Sequence, residues 1–169
     1  VAQKKAELEK PKEKDIYRVG TIAKIKQVMH MPGNVTRLIV KGVSRGVLHE
    51  FESMEPHISC QVEVIEDSNI HDKTTEEAYC KALKGKLEEY FAVNPKLQPD
   101  KFVHIMAIKG LSHLCDTVSA LVELDIDIKQ SLLNEFDPMK RAEELIVKLE
   151  HLIEVTEIEQ KIVKKTRDR

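Results

Sequence analysis

The sequence predicts an α+β fold: an antiparallel β-sheet or open barrel first, an α-helical bundle second, and a long projecting helix last. Three observations carry this. Residues 16–66 contain β-branched, apolar-rich runs that repeat about every 10–12 residues between turn formers. From residue 69 onward apolar residues recur at helical spacing instead. From Met139 to Arg169 the chain has neither Gly nor Pro.

Strands are expected at residues 20–31, 35–41, 46–54 and 57–66. Ile22, Val28 and Met31 lie in the first run, and Val35, Leu38, Ile39 and Val40 in the second. Pro32-Gly33-Asn34 separates them: Pro presets φ, and Gly and Asn accept a positive φ. Gly42 and Gly46 read as turn residues between the second and third strands. Residues 4–14 are highly charged, contain Pro11, and read as a solvated connection.

The character changes near Asp67. Thr74 and Glu77 have the spacing of a capping box, with Thr74 as N-cap. Tyr79, Leu83, Leu87 and Tyr90/Phe91 then form one apolar stripe. Gly85 interrupts that helix, a place for close packing. Asn94-Pro95 ends it. Pro99 suits the first turn of a second helix that buries Phe102, Val103 and Met106. Leu111, Leu114/Cys115, Val118 and Leu121/Val122 make a third stripe, and residues 129–136 a short fourth helix. Asp137-Pro138 is a start signal, with Asp as N-cap and Pro at N1. Leu145, Leu149 and Leu152 line the last helix on the side that packs at home. Val155, Ile158 and Ile162 continue the stripe past anything the bundle can cover.

Composition excludes several functions. At 169 residues, with 41% hydrophobic and 4% aromatic content, the core must be mainly aliphatic. Residues 1–68 hold 11 Lys and Arg against 10 Asp and Glu, so phosphate binding finds little support. No G-x-x-x-x-G-K-[ST] cradle occurs, and no serine sits in a nucleophile elbow. The seven histidines lack ligand spacing, and Cys60, Cys80 and Cys115 form neither a zinc site nor a disulfide framework. The tract Glu123, Asp125, Asp127 reads as a solvated loop, since no EF-hand spacing accompanies it. No 18-residue apolar run is present. Met29, Met31, Phe51 and Met54 could contact a partner, because Met adapts to varied apolar shapes; their ordinary role is the buried face of the sheet.

The run Val19-Gly20-Thr21, Ala23, Ile25, Pro32-Gly33, Ile39-Val40, Gly42 and Arg45 resembles the N-terminal substrate-binding domain of the Lon family of ATP-dependent proteases. Lys129-Gln130, Leu132-Leu133, Asp137, Arg141 and Ile158-Glu159-Gln160-Lys161-Ile162 resemble its helical part and exit helix. The resemblance implies three parts: a β-rich subdomain at 1–68, incomplete at its N-terminus; a helical subdomain at 69–137; and an exit helix at 138–169 leading toward an ATPase module. It implies no catalytic residue and no metal or cofactor in this chain, with ATP and Mg used downstream by a cytoplasmic, homohexameric serine protease. Its partners would be unfolded or damaged proteins and its own ATPase and protease domains, with no membrane and no nucleic acid. Met29, Met31, Phe51 and Met54 become candidate substrate contacts, and Val155, Ile158 and Ile162 candidate contacts between subunits. Two alternatives are an RNA-binding barrel module and a coiled-coil adaptor. Near-neutral charge and scarce stacking aromatics count against the former.

Overall fold

The computed structural model describes residues 1–67, 72–94 and 99–167. The chain divides into two compact units, Val1–Glu66 and Asp67–Arg169. It is an α+β fold, as the sequence predicts.

The first unit is an open antiparallel sheet in the order β1 (Val19–Met31), β2 (Val35–Ser53), β3 (Ser59–Ile65). The turn is made by Gly33 at φ +85° and Asn34 at φ +60°, the left-handed region these two residues tolerate. The two strands expected at 35–41 and 46–54 are one continuous strand. Gly42 and Gly46 lie inside it rather than in a turn. A register shift between Ile22 and Ala23, opposite Ser44 and Gly42, bends the ladder without ending it. Gly46 is needed for contact: a Cβ there would lie 2.8 Å from Val62 Cγ1 on β3 and 3.2 Å from Ile22 Cγ1 on β1. A middle strand squeezed by branched side chains from both neighbours has no room for one of its own.

The second unit contains α1 (Lys73–Val93), α2 (Pro99–Met106), α3 (Leu111–Leu121), α4 (Ile126–Asn134) and α5 (Pro138–Arg167). Its core joins Cys80, Leu83, Leu87 and Tyr90 of α1, the α3 stripe from Leu111 to Val118, Leu132 of α4, and Ala142, Leu145 and Leu149 of α5. Burial pushes the Cys80 thiol and the Tyr90 hydroxyl above their ordinary pKa. Among the described residues the helical stripes match expectation closely, with three corrections. The N-cap of α1 is Asp72, not Thr74: its carboxylate accepts from the Thr74 amide at 3.0 Å and from the Thr75 hydroxyl, which lowers its pKa. Pro95 lies outside the described residues. In α2 Val103 is 69% exposed, and Ile105 takes the inward position, three residues on from Phe102. The carboxylate tract is only partly loop, because Asp125 is the N-cap of α4 and Asp127 lies in its first turn.

Arg141 is fully buried among these helices. Its Nε and Nη2 donate to the Glu135 carbonyl at 3.1 and 2.9 Å. Nη1 reaches Ser112 Oγ and Asp116 Oδ1, both at 3.2 Å, and Nη2 reaches Asp67 Oδ1 at 3.4 Å. A planar guanidinium can serve all these acceptors at once, which an ammonium cannot.

Two outcomes are expected. Arg141→Met should destabilise the helical unit by about 3 kcal/mol, because Asp67, Asp116 and the Glu135 carbonyl each lose a donor, and Arg141→Lys should recover only part of the loss. Urea denaturation followed by far-UV circular dichroism measures both. Gly85→Ala should raise stability by about 1 kcal/mol, since a Cβ at Gly85 meets nothing within 4 Å and the helix gains propensity; the close packing expected of this glycine is absent. Thermal melting checks the sign, and a lower melting temperature would mean the glycine has a partner.

Candidate functional site

In a two-sided strand pair, alternation sends successive side chains to opposite faces. The pairing Ile25↔Val40, Val28↔Leu38 and His30↔Thr36 puts these six residues on one face of the β1–β2 hairpin. The pairing Lys24↔Lys41, Gln27↔Ile39, Met29↔Arg37 and Met31↔Val35 defines the other. A register shift between Ile25 and Gln27 keeps Ile25 and Val28 on the same face despite their odd spacing. Neither face is covered: Ile25 is 58% exposed, Leu38 51% and Ile39 46%. Among the described residues the buried apolar side chains of this unit are Ile16 and Leu48, both near the other end of the sheet.

The four candidate contact residues are therefore not the buried face of the sheet. Met31 is exposed, and Met29, Phe51 and Met54 are half-buried. Nor are they one cluster. Met29 and Met31 flank the hairpin tip, whereas Phe51 lies roughly 50 Å of strand path from Val35 along β2. Phe51 sits beneath the Arg18 guanidinium at 4.9 Å, and that guanidinium donates to the His49 carbonyl at 2.7 Å. Met54 follows β2 and lines a shallow cleft with Pro11, Pro56 and Ile58.

Counting charge over 1–68 missed a segregation that a shorter window finds. From Ile16 to His49 the chain carries Arg18, Lys24, Lys26, Arg37, Lys41 and Arg45 and no Asp or Glu. The hairpin is apolar and cationic together. Among the described residues no cluster of His, Cys, Asp and Glu is placed to hold a metal, and no helix is long and apolar enough to cross a membrane.

The second candidate surface is on α5. Leu145 and Leu149 are fully buried, Leu152 and Ile153 half-buried. Val155, Ile158 and Ile162 are 38%, 55% and 56% exposed. Gln160 Nε2 still donates to the Val93 carbonyl of α1 at 2.9 Å, and every residue of 161–167 is exposed.

The arrangement is an open antiparallel sheet followed by a helical bundle whose last helix is long. Residues 1–151 match the family model of the ATP-dependent protease La (LON) substrate-binding domain, and the chain belongs to that family. It is 34% identical over 165 residues to the Lon protease of Clostridioides difficile strain 630, covering 95% of this chain and 21% of that protein. It is 35% identical over 160 residues to the Lon protease of Syntrophomonas wolfei, covering 95% of this chain and 20% of that protein. The chain thus spans about a fifth of the length of these relatives. Among solved structures, the N-terminal domain of the Mycobacterium avium complex Lon protease superposes with a TM-score of 0.67 at 26% identity, over 83% of this chain and 74% of that one. A Lon N-terminal domain protein from Xanthomonas campestris shares the fold, with a TM-score of 0.55 at 16% identity over 81% of this chain and 71% of that one.

Hydrogen exchange on the purified chain should be slow from Arg141 to about Ile153, where α5 packs on α1 and α3, and fast beyond Gln160, where packing no longer supports the helix. Uniformly slow exchange through Lys165 in a monomer would show that the outer stripe already has a partner within the chain.

Proposed function

We propose that this chain captures exposed apolar segments of unfolded, damaged or regulatory proteins for degradation by an ATP-dependent serine protease of Lon type. The observation that carries the reading is the family match over residues 1–151 on a sheet whose hairpin leaves apolar side chains open on both faces. Met29 and Met31 at the hairpin, with Phe51 and Met54 further along, act as adaptable contacts for varied clients. Residues 1–68 recognise the client, 69–137 form the helical subdomain, and 138–169 lead toward the motor. Along that helix Val155, Ile158 and Ile162 pack against neighbouring subunits of a cytoplasmic homohexamer. This part performs no bond chemistry. ATP and Mg are bound by the ATPase module, and the client is cut by the protease module.

Titration of the chain with a permanently unfolded client and with its native form tests this. Binding of the unfolded form is expected at about micromolar affinity or weaker, since one small apolar surface rarely gives more. Met29→Glu with Met31→Glu should weaken it several-fold, on the order of 1 kcal/mol. Equal binding of the two client forms would overturn the recognition role.

A further inference from the structure

β3 accompanies β2 only over its second half: the pairing starts at Ser53↔Ser59 and ends at Arg45↔Ile65. From Val35 to Ser44, β2 is paired with β1 alone, so among the described residues its outer edge presents a row of unpaired backbone donors and acceptors. Beside this edge lie two unlike faces. One carries Leu38 and Val40, and the other interleaves Arg37 and Lys41 with Val35 and Ile39, with Lys24 directly across from Lys41. Lys24, Lys26, Arg37 and Lys41 make no ion pair among the described residues. Like charges directly opposite each other destabilise an antiparallel pair unless something anionic lies between or beside them.

We propose that the free edge of β2 between Val35 and Ser44 accepts an extended acidic protein segment as an added strand, its carboxylates beside Arg37 and Lys41 and its alternate apolar residues beside Leu38 and Val40. This rests on the client-binding reading above and narrows it to a class of client. The backbone ladder supplies affinity, and the two faces supply specificity through the period of two. The preferred segment therefore alternates acidic and β-branched residues, and lacks Pro at ladder positions. A nucleic acid fits the same charge less well. Between Val19 and Leu48 there is no Phe, Tyr or Trp for bases to stack on, and the cations are interleaved with Val, Ile, Leu and Met.

The test uses the whole 169-residue chain and fluorescence anisotropy with four labelled probes. These are a peptide alternating Glu and Val, its Lys and Val counterpart, the Glu and Val peptide N-methylated at alternate amides, and a single-stranded oligouridylate. The acidic peptide should bind at least about tenfold more tightly than the basic one, and the difference should shrink between about 50 and about 300 mM salt. N-methylation should remove at least about tenfold of the affinity, because it blocks the ladder. R37E with K41E should reverse the charge preference. Equal affinity for the acidic and basic peptides, or affinity untouched by N-methylation, would overturn the proposal. Tighter binding of the oligouridylate would also overturn it, in favour of a nucleic-acid surface. If R37E with K41E fails to fold, the comparison of probes on the native chain decides alone. Should the chain distinguish unfolded from native client yet show no acidic preference, only this inference falls; should it bind neither client form, the client-binding reading falls with it.

Discussion

A charged side chain with no access to water holds the helical unit together. Burying a guanidinium costs several kcal/mol unless its donors find acceptors. Arg141 meets the cost by drawing four parts of the chain to one point: Asp67 before α1, Ser112 and Asp116 on α3, the Glu135 carbonyl after α4, and its own first turn of α5. Asp137 is part of the same construction. Its carboxylate accepts from the Met139 amide at 2.9 Å and its carbonyl from the Arg141 amide at 3.0 Å, which sets where α5 begins and hence where the guanidinium points. With this hub in place, Leu145 and Leu149, one and two turns on, fall against α1 and α3.

A second set of polar contacts fixes the corner between α2 and α3 from the side of α1. Glu76, Cys80 and Lys84 are spaced four apart and share one face of that helix. Glu76 Oε1 accepts from the Leu111 amide at 3.0 Å, an anion at the N-terminus of α3. Lys84 Nζ donates to the carbonyls of Met106 and Ile108 at 2.8 and 2.6 Å, a cation at the C-terminus of α2. Each charge suits the helix end it meets. Cys80 Sγ closes the row on the Lys109 carbonyl at 3.5 Å. Ile105, Ile108 and Leu111 bury the apolar side of the corner, and these three α1 side chains satisfy carbonyls and amides that the helices leave open.

How much of this the sequence discloses depends on the range of the interaction. The stripes of α1, α3 and α5 and the Asp137-Pro138 start are local patterns, and they are legible. Asp72 displaced Thr74 as N-cap because both residues can cap, and local spacing does not rank them. Arg141 is unreadable as a buried hub: its partners are up to 74 residues away in sequence, and an arginine between Lys140 and Ala142 looks like any solvated charge. The unbroken β2 was hidden for the opposite reason. Gly42 and Gly46 look like breakers in isolation, and only Val62 and Ile22 pressing on Gly46 explain why a glycine sits within a strand. At the candidate site, the identity of the apolar residues was legible but their exposure was not. Alternation tells which residues share a face, never whether that face is covered.

The two units thus stand at opposite ends of a physical scale. The helical unit buries a contiguous aliphatic core and satisfies the buried Arg141 guanidinium. The sheet unit leaves Ile25, Val28, Leu38, Ile39 and Val40 open beside uncompensated cations. Exposed apolar area of this kind is costly in water, and an unpaired strand edge invites association. Lysine and arginine on that edge temper the hazard, since like charge opposes pairing of one hairpin with another copy of itself. The same charges do not oppose an acidic strand. A surface that repels its own kind and attracts anionic extended chain can stay open in solution and still be filled by a partner, which is the condition a reversible recognition surface has to meet.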